Sequence, residues 1–150
     1  MKHILVTRID DRLIHGQVVT AWIKQYPINK ILIIDDELSR NKLMERIYKA
    51  AAPVGIEVVI MDQEMAEGFL KEDPGPKENL MILVKVPQVL EKLIGSGISI
   101  DKIILGGMGA IAASEISRVL VTVSTMIPIS IACILMTIIQ FCLFELSSEG

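Results

Sequence analysis

Arg8, Asp10, Asp11, Arg12 and His15 fall within one stretch of eight residues, RIDDRLIH, and Gly16 and Gln17 follow directly. Those residue types in that order suit phosphoryl transfer. Imidazole titrates near neutrality, and its neutral form is a competent nucleophile. Attack on phosphorus spreads negative charge over three equatorial oxygens, which need positive partners. Arg8 and Arg12 carry guanidinium groups that match such oxygens two at a time. Gly16 leaves room for close backbone approach. Amides at the start of a following helix add a fixed positive end. Asp10 and Asp11 can pair with the arginines, or orient the imidazole by accepting from its other nitrogen. The residues also fit a plainer account, in which His15 only starts a helix and the charged run is a solvated, self-paired loop.

Positioning such a loop requires a strand before it and a helix after it. Short apolar runs recur at 4–6, 31–34, 58–61, 80–84 and 103–105. They are continuous rather than alternating, as in strands buried on both faces. Their spacing leaves room for one crossover helix each. Val18, Trp22 and Tyr26 share a helical face, with Val19 and Ile23 beside them, and Leu43 pairs with Ile47 at i,i+4. Pro87 suits a first helical position, Val89, Leu90 and Leu93 form a stripe, and Gly95 can close that helix. KEDPGPKEN at 71–79 reads as an exposed polar loop, and Ser39 as a helix cap. The expected fold is α/β: an open, mostly parallel, doubly wound sheet with helices on both faces. Such sheets bind ligands at the carboxyl ends of their strands. That rule singles out the loops after the first, second and fifth runs.

Composition narrows the function classes. The chain has 150 residues, 51% of them hydrophobic, and a net charge of −3. One domain can bury about two thirds of its unfolded surface at this length. Two cysteines, Cys133 and Cys142, cannot staple such a chain. Mild acidity argues against nucleic acid as a partner. No secretory signal is read at the start. No GxxxxGK[ST] run and no kinase-type glycine loop is present, so no nucleotide cofactor is expected. No metal site is expected either, because His3 and His15 lack Cys or His partners at ligand spacing.

The run RIDDRLIHGQV at 8–18 resembles the active-site signature of the sorbose/mannose-type IIB subunits of the bacterial sugar phosphotransferase system. IDDE at 34–37, AAAPVG at 50–55 and GGMG at 106–109 stand where that family has similar segments. The resemblance covers about residues 1–110. It implies a doubly wound α/β domain that acts as a protein-N(pi)-phosphohistidine–sugar phosphotransferase without a cofactor. His15 would take a phosphoryl group from the phosphohistidine of a IIA subunit or domain. It would pass the group to a sugar held by the IIC and IID membrane subunits. Arg8, Arg12, Gly16 and Gln17 would hold the phosphoryl group, with Asp10 and Asp11 in support. Asp36, Gly106 and Gly107 would edge the site. The role implies a cytoplasmic domain at the inner face of the membrane.

Residues 111–150 form an atypical apolar tail. The segment 119–144 contains 26 residues without a charge, 19 of them apolar. Three accounts fit it: a membrane-associated helix kinked at Pro128, a repacked substitute for family elements, or a frame-shifted sequence. Two rival functions remain at this level. A membrane-anchored binding module would need no chemistry at His15. A receiver-like signalling domain would use Asp10, Asp11 and Asp62, but lacks a lysine where Gly106 and Gly107 stand.

Overall fold

The structure is a computed structural model that describes residues 2–14, 16–73 and 78–106, with residues 16–20 described by backbone alone. His15, Gly107, the 74–77 part of the polar loop and the 111–150 tail lie outside the described residues, as do the side chains of Gln17, Val18 and Val19.

The five apolar runs form strands: β1 (His3–Ile9), β2 (Lys30–Ile34), β3 (Glu57–Met61), β4 (Asn79–Val84) and β5 (Ile103–Leu105). Every pairing among them is parallel, in the order β3-β2-β4-β1-β5. Five helices connect them: α1 (Gly16–Gln25), α2 (Asp36–Arg40), α3 (Lys42–Ala50), α4 (Gln63–Lys71) and α5 (Pro87–Gly95). The first two crossovers step one way along the sheet, and the last two step back. Right-handed connections then place α1, α2 and α3 on one face and α4 and α5 on the other. The two cores follow. Val6, Ile31, Ile33 and Met81 meet Trp22 and Tyr48 on the first face. Ile9, Leu32, Ile82 and Val84 meet Leu70 and Leu90 on the second. Each fully buried aliphatic side chain contributes about 1.5–3 kcal/mol of transfer free energy. The expected doubly wound α/β fold is present.

Local details differ from the expectation. Two helices, not one, join β2 to β3. Asn41 is extended and its side chain accepts from the Met44 amide at 3.1 Å, so it ends α2 and starts α3. Met44 and Tyr48, both half-buried, are the side chains of α3 that pack on the core. Leu43 and Ile47, read as its packing pair, are 69% and 51% exposed. Ser39 caps nothing; its hydroxyl donates back to the Asp36 carbonyl inside α2, and Asp35 is the cap. Beyond α5 the glycine in the left-handed region is Gly97, at φ +91°, rather than Gly95.

The amino edge of the sheet is tied by charge. Glu78 ends the polar loop and is drawn inward: it accepts from Lys30 at 2.6 Å and from Lys2 at 2.7 Å. The Phe69 ring lies under both ammonium groups. The hydrogen bond from Lys30 to Glu78 raises the Lys30 pKa above its ordinary 10.5, against an opposing effect of burial. The folded state thus holds this proton more tightly than the unfolded state. The stabilisation is complete below 10.5 and is lost as pH rises through the folded value. Glu78→Gln is expected to cost roughly 1.5–3 kcal/mol at neutral pH and to flatten the alkaline fall in stability. Urea titrations between neutral and alkaline pH measure both, and an unchanged alkaline slope would contradict the assignment.

Candidate functional site

The segment between β1 and α1 leaves the sheet at its carboxyl edge. Asp10 still donates its amide to the Val84 carbonyl of β4 at 2.9 Å, and Gly106 donates to Ile9 at 2.7 Å. The chain then turns. The Asp10 carbonyl accepts from Leu13 at 3.1 Å, and Asp10 Oδ1 accepts from the Arg12 amide at 3.1 Å. An aspartate bonded to the amide two residues on is a standard turn former. Leu13 and Ile14 are buried in the core under α1, and Leu13 takes φ +52°. A left-handed backbone is costly for a branched side chain, and burial of that side chain holds it there. The strand-edge bonds of Asp10 and the burial of Leu13 and Ile14 fix the loop on both sides of its charged residues, and α1 begins at Gly16.

The two arginines differ sharply. Arg8 lies on the α1 side of β1 and is 8% exposed, while Asp10 is fully buried. Arg8 Nε and a terminal nitrogen both donate to Asp10 Oδ2, at 3.1 and 2.7 Å. The guanidinium also stands 6.0 Å from the Trp22 ring centroid. Trp22 in turn stacks on Tyr26, and Lys102 lies over Tyr26 and donates to its hydroxyl. Arg12, by contrast, has a side chain 61% exposed, with its Nε 3.6 Å from Asp10 Oδ1 and 3.9 Å from Asp11 Oδ1. Its charge faces solvent at the loop.

Gly106 packs directly on the buried pair. A Cβ there would stand 2.3 Å from Asp10 Oδ2 and 2.6 Å from an Arg8 terminal nitrogen. The structure therefore gathers Arg8, Asp10, Asp11, Arg12 and Gly106 around the loop. Asp36 is not among them. The strand order puts β4 between β1 and β2, and Asp36 accepts from the Gln63 amide at 2.9 Å, at the start of α4. It lines a separate cavity of about 210 Å³ with Asp35, Gln63, Lys85 and Val86. Lys85 pairs with Asp35 at 2.7 Å. Reading the sequence missed Lys85 and Val86 at this edge, because their loop follows the fourth run, and strand order is not written in spacing. Helical periodicity places Trp22 on the face of Val18 and Tyr26 but gives no sign of its approach to Arg8. Asp62, the receiver-like candidate, instead caps α4 by accepting from Met65 at 2.8 Å. Among the described residues, no group of three or more His, Cys, Asp or Glu side chains is placed to hold a metal ion. No helix among them is long and apolar enough to cross a membrane.

The sequence matches the family model of the PTS system sorbose subfamily IIB component over residues 4–128. The chain belongs to that family. The match continues past residue 110, where the resemblance was read to end. The sorbose-specific EIIB component of Lacticaseibacillus casei is 34% identical over 70% of this chain and 64% of that protein. The mannose-specific EIIAB component of Escherichia coli K12 is 31% identical over 69% of this chain and 32% of that protein. The chain thus spans less than two thirds of these relatives. The crystal structure of the IIBSor domain of the Klebsiella pneumoniae sorbose permease superposes with a TM-score of 0.65 at 31% identity, over 71% of this chain and 66% of that one. That of manxB from Thermoanaerobacter tengcongensis gives 0.76 at 31% identity, over 83% and 82%.

Proposed function

We propose that this IIB-family domain is the phosphoryl carrier of a sugar phosphotransferase system, with His15 as the acceptor. The observation that carries this is the loop at the carboxyl edge of β1: it ends at Gly16, the first residue of α1, and presents Arg12 to solvent. A neutral ring nitrogen of His15 uses its lone pair to attack the phosphorus of a IIA phosphohistidine. The new N–P bond forms as the donor N–P bond breaks, and the departing imidazole takes up a proton. Arg12 and the first amides of α1, from Gly16 and Gln17 onward, balance charge on the three phosphoryl oxygens. In the second step a sugar hydroxyl attacks, its proton is released, and the His15 imidazole leaves.

The partners follow from the role: a phosphorylated IIA subunit or domain as donor, and IIC and IID membrane subunits that hold the sugar. The name of the mannose relative, EIIAB, joins a IIA and a IIB part in one protein. Relatives named for sorbose, mannose, fructose and N-acetylgalactosamine all align with this chain. That range fits a transfer module common to several sugars, with the sugar selected by the membrane subunits. The work is cytoplasmic, at the inner face of the membrane.

Incubation of the chain with radiolabelled phospho-IIA tests the assignment. The expected product loses its label in acid, keeps it in alkali and yields a labelled peptide containing His15. His15→Ala is expected to reduce labelling to background, because no covalent acceptor remains. Label retained by that variant, or an alkali-labile product, would refute the site.

A further inference from the structure

We propose that Arg8 is a positioning residue that clamps the phosphoryl-transfer loop, and that Arg12 alone of the two arginines meets the phosphoryl group; this rests on the reading of His15 as acceptor. The resemblance assigns both arginines to phosphate. The geometry separates them. Arg8 spends two donors on one oxygen, Asp10 Oδ2. Its guanidinium lies near the Trp22 ring, and the Gly106 backbone closes a further side. Two of its five N–H donors hold a fully buried carboxylate, so moving the guanidinium out to the loop surface would uncover that charge. Uncovering a buried charge is among the most unfavourable changes a fold can make. Arg12 faces no such barrier, since its side chain is mostly in solvent.

The clamp has a direct consequence for His15. Asp10 precedes the histidine in the loop, and Trp22 follows it in α1. One guanidinium is therefore bonded to the segment before the acceptor and stands 6.0 Å from the Trp22 ring centroid in the segment after it. Asp10 then relays the constraint, because its second oxygen holds the Arg12 amide. The clamp fixes the relation between the loop and the helix start that together present the imidazole and its oxygen-binding groups. A planar, forked group is required for this. Lysine keeps the charge but loses the paired donors and the flat face over Trp22.

The test uses the full chain, phospho-IIA as donor, and the intrinsic fluorescence of Trp22, the only tryptophan in the sequence. Arg8→Lys is expected to lower kcat about 10²-fold, as a misplacement on the order of 1 Å does, with little change in KM for phospho-IIA. Trp22 emission should shift in Arg8→Lys and stay as in the wild type in Arg12→Lys. Arg8→Lys combined with Asp10→Asn should be no slower than the slower single variant, because both break one clamp. Arg8→Lys combined with Arg12→Lys should multiply the two losses. The proposal is overturned if Arg8→Lys leaves Trp22 emission unchanged, or if its loss multiplies with that of Asp10→Asn and merges with that of Arg12→Lys. A wild-type chain that accepts no label is a different result: it refutes the transfer reading itself.

Discussion

Asp10→Ala is expected to destabilise the domain by about 3–5 kcal/mol, the usual cost of removing one partner from a buried ion pair. The substitution leaves the Arg8 guanidinium, 8% exposed, without its carboxylate. It also removes the acceptor that holds the Arg12 amide and so shapes the turn. Total stabilities of single domains are typically about 5–15 kcal/mol, so the loss is a large fraction of the whole. Urea unfolding followed by far-ultraviolet circular dichroism and by Trp22 fluorescence measures it. A cost below about 1 kcal/mol, the range of exposed pairs, would mean that the pair is not sealed in solution. Arg8→Met together with Asp10→Ala removes both charges and is expected to recover much of the stability. Transfer activity should not return with it, since the clamp is then absent.

Gly106→Ala is the second large effect. The added Cβ would meet Asp10 Oδ2 at 2.3 Å, an Arg8 nitrogen at 2.6 Å and Asp10 Cγ at 2.7 Å. None of these atoms is the free end of a mobile chain, because the pair is buried and mutually bonded. Either the ion pair shifts or β5, three residues long, peels from β1. Overpacking of this kind costs about 1–3 kcal/mol, and displacing the clamp should slow transfer by roughly 10²-fold. Gly68→Ala is the matched control. Gly68 lies inside α4 and nothing stands within 4 Å of its Cβ position. That variant is expected to be more stable by about 0.5–1 kcal/mol, as alanine is in a helix interior. Equal stabilities for the two variants would show that the close contact at Gly106 does not exist in solution.

Glycine type alone carries little meaning, and these two positions show why. GGMG is legible as a segment after the fifth strand, where the resemblance puts Gly106 and Gly107 at the edge of the site. The structure gives Gly106 a packing role: it makes room for a buried pair contributed by β1 and its loop. Nothing in the spacing of 8, 10 and 106 reveals that contact, because it depends on β5 pairing with β1. The α3 face failed for a related reason. Leu43–Ile47 and Met44–Tyr48 are both apolar i,i+4 pairs, displaced by one position. Periodicity ranks neither above the other. The entry angle set by Asn41 turned Met44 and Tyr48 to the sheet and left Leu43 and Ile47 outside.

Local sequence alone established the alternation of strands and helices and the parallel doubly wound class, and it singled out the loop after β1 as the candidate site. Those features follow from short-range rules: continuous aliphatic runs, helical periodicity, and residue types crowded into one turn. Tertiary structure alone decided that β4 lies between β1 and β2, that Asp36 and Lys85 form an edge apart from the loop, and that Arg8 is sealed while Arg12 is exposed. Two arginines four positions apart have the same intrinsic chemistry. Only long-range packing of α1 and β5 against β1 buries one guanidinium with a carboxylate and leaves the other in water.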